Sequence, residues 1–155
     1  MRKLLPLSTA HAGLAAALHE PVFRNGWDEA AFGALLGQPG VFGFVAADDG
    51  AEPEGFILVR AAADEAEILT LAVRASARRR GAGRALLQGA IRACREAGIA
   101  RLFLEVGVGN AAAQALYQNA GFTRTATRVG YYPKGQMQKE NGAPEDAAVM
   151  VLALD

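Results

Sequence analysis

Four arginines and two glycines are packed into Arg78-Arg79-Arg80-Gly81-Ala82-Gly83-Arg84, just ahead of apolar residues spaced three or four apart. That spacing is one face of a helix, and a helix start offers unpaired backbone N–H groups and the positive end of its dipole. Glycines let a phosphate come close to such a backbone, and flanking arginines add charge. Two other phosphate motifs fail on the letters. A P-loop needs Gly-Lys followed by Ser or Thr, but Gly83 is followed by Arg84-Ala85. The dinucleotide fingerprint needs a small residue where Leu86 stands. The alternative is a solvated, arginine-rich helix start, in which neighbouring cations repel one another and oppose the dipole. A bound anion would relieve both costs.

The second chemical feature is Glu105, set inside the apolar run Leu102-Phe103-Leu104-Glu105-Val106. A carboxylate there must be paired, hydrated or functional, because burying an unpaired charge is costly. Period-two alternation puts it on one face with Phe103. It can act as a general base whose pKa burial raises, or pair with Arg101 or Arg128. Asn110 reads first as a helix cap, and Tyr117 as a packed ring with its hydroxyl at a rim. Tyr131-Tyr132-Pro133 is an aromatic wall over a pocket or surface packing. Cys94 falls on the apolar face of its helix and reads as buried filler. With one cysteine, and only His11 and His19 near the N-terminus, neither a disulfide nor metal catalysis is expected.

These residues need a scaffold, and the periodicity supplies one. Arg2 to Leu7 reads as a strand. Ser8 or Thr9 caps a helix to about Glu20, and Asp28 caps a second through Leu36. Val41–Ala47 and Gly55–Ala62 form an antiparallel hairpin, and Glu67–Val73 is a nearly all-apolar, interior strand. The arginine–glycine loop opens a helix that Gly98 stops. Leu102–Val106 is a strand, Ala111–Ala120 a helix ended by Gly121, and Thr123–Tyr132 and Ala147–Ala153 the last strands. The expected order is β-α-α-β-β-β-α-β-α-β-β. That is an α/β (α+β) fold, a mixed, mostly antiparallel sheet of about seven strands flanked by about four helices. The strand–helix–strand units of the second half imply parallel pairing.

At 155 residues, 52% of them apolar, the chain is expected to form one domain over 1–155 with a core large enough to stand without cross-links. Sixteen basic residues balance sixteen acidic ones, which argues against nucleic-acid binding. No apolar run approaches a membrane span, and cytoplasmic residence is the expectation.

Taken together, these segments resemble the GNAT family of N-acetyltransferases over nearly the whole chain, most strongly from Glu67 to Pro133. The family's Arg/Gln-x-x-Gly-x-Gly/Ala loop stands here as Arg78-x-x-Gly81-x-Gly83. Its Asn-x-x-Ala-x-x-Leu-Tyr-x-x-x-Gly-Phe signature stands as Asn110 to Phe122. The resemblance implies the GNAT fold and acetyl-CoA as acetyl donor. It places the cofactor against Leu71, Ala72, Val73, Arg78, Arg79, Arg80, Gly81, Ala82, Gly83, Arg84, Asn110 and Tyr117. Within the family the chain is similar to the RimI type, which acetylates the N-terminal alanine of a small-subunit ribosomal protein. Gly26-Trp27-Asp28-Glu29, Leu104-Glu105-Val106 and Tyr131-Tyr132-Pro133 carry that narrower likeness. It implies Glu105 as general base, Tyr117 as general acid, and Tyr131 and Tyr132 in a peptide site. Gly107, in the same substrate region, departs from the arginine usual in this type. A lysine side chain, a small-molecule amine, or a non-catalytic acyl-CoA-binding role are the rival readings.

Overall fold

The computed structural model describes residues 2–19, 27–48, 52–128 and 146–154. They form seven strands and four α-helices in chain order: β1 (Arg2–Pro6), α1 (Ala12–His19), α2 (Glu29–Leu36), β2 (Val41–Asp48), β3 (Gly55–Ala62), β4 (Glu65–Val73), α3 (Ala82–Glu96), β5 (Arg101–Gly107), α4 (Ala111–Asn119), β6 (Thr123–Arg128) and β7 (Ala147–Ala153). This is the expected order. The helix anticipated from Ser8 enters through a 3-10 turn at Thr9–His11, where the Ser8 N–H donates to His11 Nδ1 at 3.0 Å. Asp28 caps α2 as expected, its carboxylate accepting from the Ala31 N–H at 2.8 Å.

The sheet runs β1-β2-β3-β4-β5-β7-β6. Among the described residues only β4 and β5 pair in parallel; every other neighbouring pair is antiparallel. The sequence implied parallel pairing across α4 as well, and this is where the structure differs. β7 inserts between β5 and β6, so those two strands are never hydrogen-bonded to each other. A chain that returns antiparallel from a distant loop can fill the place a crossover leaves open, and no local period announces it.

Two apolar layers cover the sheet. On one face α3 brings Leu86, Leu87, Ala90, Ile91 and Cys94 against Ile57, Val59, Ile68, Leu102, Leu104 and Met150. On the other, α1 and α2 bring Ala15, Leu18 and Phe32 against Val45, Phe56, Leu58 and Ala72. Phe56 to Val59 are therefore fully buried from both sides, each contributing ~1.5–3 kcal/mol of hydrophobic stabilisation. Cys94 is buried filler, as its position suggested, and burial pushes its thiol pKa up.

The histidines also find structural roles. The Trp27 N–H donates to His19 Nδ1 at 3.1 Å, and the two rings stack 5.0 Å apart. With Phe32 at 5.3 Å, they form an aromatic block between α1 and α2.

Candidate active site

The site begins with an irregularity in β4. Leu58 pairs with Thr70 but Val59 pairs with Ile68, so Leu69 is an extra, bulged residue. A bulge bends its strand and shifts the alternation of faces by one. Before it, Ala66 and Ile68 lie in the α3 layer; after it, Leu71 and Val73 do, and Ala72 turns to the α1/α2 layer. The bend also ends the pairing with β5. Ladder partners run only from Glu65–Arg101 to Ile68–Leu104, although β4 continues to Val73 and β5 to Gly107. The two strands splay and leave a gap.

Backbone direction inside the gap follows from alternation. Ala72 turns its carbonyl toward Gly55, and the Arg74 N–H donates to Glu54 O at 2.8 Å, both on the β3 side. Leu71 and Val73 therefore aim their N–H and C=O groups at the open side. Arg78 Nε donates to the Val73 carbonyl at 3.2 Å, so the loop that follows β4 is tied to the mouth of the gap.

That loop is shaped to receive an anion. Arg79 (φ +63) and Gly81 (φ +86) are both left-handed, with Arg80 between them, and α3 starts at Ala82 with no side chain capping its first N–H groups. Gly81 has the one residue type that adopts this geometry without steric cost. A Cβ at Gly83 would sit 3.6 Å from both Leu116 and Val73, an ordinary contact, so the protein's own packing does not call for glycine there. The missing methyl instead leaves the backbone open to a ligand. Arg74, just ahead of this loop, is bound to Glu52 and to the Pro53 carbonyl. Arg78, Arg79 and Arg84 line the cavity.

This cavity, of about 650 Å³, lies between the loop, the free end of β4 and α4. It gathers Leu71, Val73, Arg78, Arg79, Gly81, Gly83, Arg84, Asn110 and Tyr117 from the sequence reading. Ala72, Arg80 and Ala82 are not on its wall: Ala72 and Ala82 are buried, and the Arg80 carbonyl accepts from Arg2 Nη2 at 2.8 Å. Ala77, Ala112, Ala113 and Leu116 line it without having been singled out. Ala113 and Leu116 were legible, since they recur at helical spacing with Asn110 and Tyr117.

α4 is fixed at both ends. Asn110 Oδ1 accepts from the Ala113 N–H at 3.1 Å, and the Asn110 N–H donates to Gly107 O at 2.9 Å. Gln114 Nε2 reaches back to the carbonyls of Gly107 (3.2 Å) and Val108 (2.9 Å). Gly107 is buried at the end of β5, paired with Ala147, and does not line the cavity. At the other end Gly121 (φ +104) and Phe122 close a reverse turn, with the Phe122 N–H donating to Tyr117 O at 3.0 Å. The Phe122 ring then meets Tyr117 edge-on at 5.7 Å. Tyr117 is 7% exposed, and burial pushes its phenol pKa above the ordinary value, so it stays protonated through the neutral range.

Glu105 approaches from the opposite side. Leu104 and Val106 are buried in the α3 layer, so alternation directs Glu105 to the other face of the sheet. It is half-buried there, with Oε2 shielded from solvent. Arg101, a possible partner by sequence, instead pairs with Glu65 at 2.6 Å. Glu105 and Tyr117 thus flank the β4–β5 region from its two faces. Thr70, beside the bulge, has a buried hydroxyl without a hydrogen-bond partner among the described residues. Tyr131 and Tyr132 lie outside the described residues. Among the described residues no three His, Cys, Asp or Glu side chains gather as metal ligands, and no helix is long and apolar enough to cross a membrane.

The Acetyltransferase (GNAT) family matches residues 14–122. The chain is a GNAT acetyltransferase. Over 154 residues, 99% of both chains, this acetyltransferase is 32% identical to a [ribosomal protein bS18]-alanine N-acetyltransferase of Salmonella typhimurium. It is 31% identical to the Escherichia coli K12 protein of that name over the same share of both chains. The crystal structure of the Escherichia coli ribosomal-protein-S18-alanine N-acetyltransferase superposes with a TM-score of 0.87 at 31% identity, covering 100% of this chain and 95% of that one. The expected fold and family are borne out.

Proposed function

We propose that the whole chain, 1–155, works as one domain that transfers acetyl from acetyl-CoA to the α-amine of a protein beginning with alanine. Ribosomal protein bS18 is the candidate acceptor, because the relatives matched over 99% of both chains are named for it. The observation that carries the chemistry is the gap between β4 and β5, with Tyr117 and the anion-receiving loop on one face and Glu105 on the other.

The residues present suit acetyl-CoA, which supplies an activated thioester. The uncapped start of α3 and the cradle at Gly83 would take its pyrophosphate, helped by Arg78, Arg79 and Arg84. The N–H groups of Leu71 and Val73, turned into the gap, would be available to stabilise charge on the thioester oxygen. Glu105, directly or through water, accepts the proton of the incoming amine. An α-ammonium has a pKa of roughly 7.7–8.0, so removing its proton near pH 7 costs only about 1 kcal/mol. A lysine ammonium, near 10.4, would demand several kcal/mol more, roughly 1.4 per pKa unit. Tyr117, kept protonated by burial, donates to the departing thiolate. No covalent acetyl-enzyme is needed.

The deciding experiment offers the protein acetyl-CoA with two peptides. One starts with a free alanine; the other has a blocked N-terminus and an internal lysine. Tandem mass spectrometry locates the acetyl group. Modification confined to the α-amine of the first peptide is expected. Lysine acetylation alone would reassign the acceptor, and tight acetyl-CoA binding with no transfer would point to a binding module.

A further inference from the structure

Arg2 opens β1, an edge strand far from the cavity in the sheet order, yet its guanidinium touches the phosphate-receiving loop. Nε and Nη2 grip the Glu54 carboxylate at 2.7 and 3.1 Å, a two-pronged ion pair. Nη2 also donates to the Arg80 carbonyl at 2.8 Å. Glu54 is a firm anchor. Its N–H donates to Ala46 O at 2.7 Å, and its carbonyl accepts from the Arg74 N–H at 2.8 Å.

The carbonyl that Arg2 holds lies between the two left-handed residues of the loop, Arg79 and Gly81. In a trans peptide the carbonyl of one residue and the N–H of the next point in opposite directions. Pinning the Arg80 carbonyl therefore sets the direction of the Gly81 N–H. A non-glycine residue at φ +63 is strained and persists only where its surroundings hold it. Arg2 is one such hold.

We propose that Arg2, braced by Glu54, is a positioning residue that keeps the Arg79–Gly81 backbone set to receive the pyrophosphate of acetyl-CoA. The inference rests on the function proposed above. In support, Arg2 holds the Glu54 carboxyl below its ordinary pKa, so the pair is ionised at neutral pH. The rival explanation is that Arg2 contributes only a positive charge near an anion. The two explanations differ in sign at Glu54. If charge alone matters, Glu54→Gln removes a negative group and tightens binding. If position matters, it loosens Arg2 and weakens binding.

Acetyl-CoA affinity is measured by calorimetry, and kcat and both KM values by steady-state kinetics, for wild type, Arg2→Met, Arg2→Lys, Glu54→Gln and the Arg2→Met/Glu54→Gln double variant. Arg2→Met and Glu54→Gln are each expected to weaken acetyl-CoA about tenfold, the order of one charge-assisted hydrogen bond. The double variant should be no worse than either single one. The kcat at saturating acetyl-CoA and the KM for the acceptor should stay within about twofold. Arg2→Lys, which keeps the charge without the fork, should remain weak. Tighter or unchanged binding in Glu54→Gln, or full rescue by Arg2→Lys, overturns the proposal in favour of charge alone. Wild-type affinity in every variant overturns it outright. Should Arg2→Met fail to fold, Glu54→Gln and Arg2→Lys still decide. Failure of wild type itself to bind acetyl-CoA would instead sink the functional reading.

Discussion

Glu105 and Tyr117 stand on opposite faces of the splayed strands, and their environments suit opposite proton duties. Tyr117 is buried beside Phe122 and holds its proton; Glu105 keeps contact with the solvent side. Tyr117→Phe should lower kcat by about a hundredfold, the lower range of general acid–base effects, with acetyl-CoA affinity nearly intact by calorimetry. An equal loss of affinity would make Tyr117 a binding residue. Glu105→Gln should lose most activity at neutral pH and regain part of it as pH rises past roughly 8, where the α-amine is already neutral. A rate profile that merely scales down at every pH would remove Glu105 from proton transfer. Thr70 makes a different kind of test. Its buried hydroxyl has no partner among the described residues, so the isosteric methyl of valine should stabilise the fold by about 1 kcal/mol, read as a higher denaturant midpoint.

Among the elements, β4 and α3 do most to create the site. The bulge at Leu69 both opens β4 from β5 and turns Leu71 and Val73 into the cavity. The α3 start supplies N–H groups instead of a capping side chain. Gly83→Ala separates folding from binding here. The added methyl meets only ordinary contacts, so stability should be unchanged or rise by up to about 1 kcal/mol from helix propensity. Acetyl-CoA affinity should fall, because the methyl occupies the cradle. A melt that moves up while the KM for acetyl-CoA also rises is the expected signature; unchanged affinity would show that the ligand does not approach Gly83.

Across the whole molecule, the α1/α2 layer carries a pH-dependent weakness. Burial lowers the His19 pKa to about 4, against 6.5 in an unfolded chain. Above pH 6.5 both states leave it neutral. Between 6.5 and about 4 the unfolded chain takes up a proton that the folded one refuses, so stability falls as pH drops. The slope approaches about 1.4 kcal/mol per pH unit at most. Urea midpoints from pH 7 to 4.5 should fall accordingly, and His19→Phe should flatten that dependence.

Much of this molecule was legible as one-dimensional pattern. Helix faces, caps such as Asp28 and Asn110, and terminating glycines such as Gly98 and Gly121 depend on residues three or four apart. Local spacing therefore specifies them, and the loop from Arg78 to Gly83 could be read as a phosphate-binding layout. What the letters could not carry were relations between distant segments. The bulge at Leu69 reverses the faces of Leu71 to Val73, yet the nearly all-apolar run from Ile68 to Val73 shows no clear alternation to break. The insertion of β7 between β5 and β6, the commitment of Arg101 to Glu65 and the grip of Arg2 on Arg80 are likewise decided in space. Backbone hydrogen bonds and ion pairs form between whichever groups the packed sheet brings within 3 Å or so. Local residue patterns set the elements and the chemistry on offer; contacts between distant segments set which strand ends part and which residues face the opening.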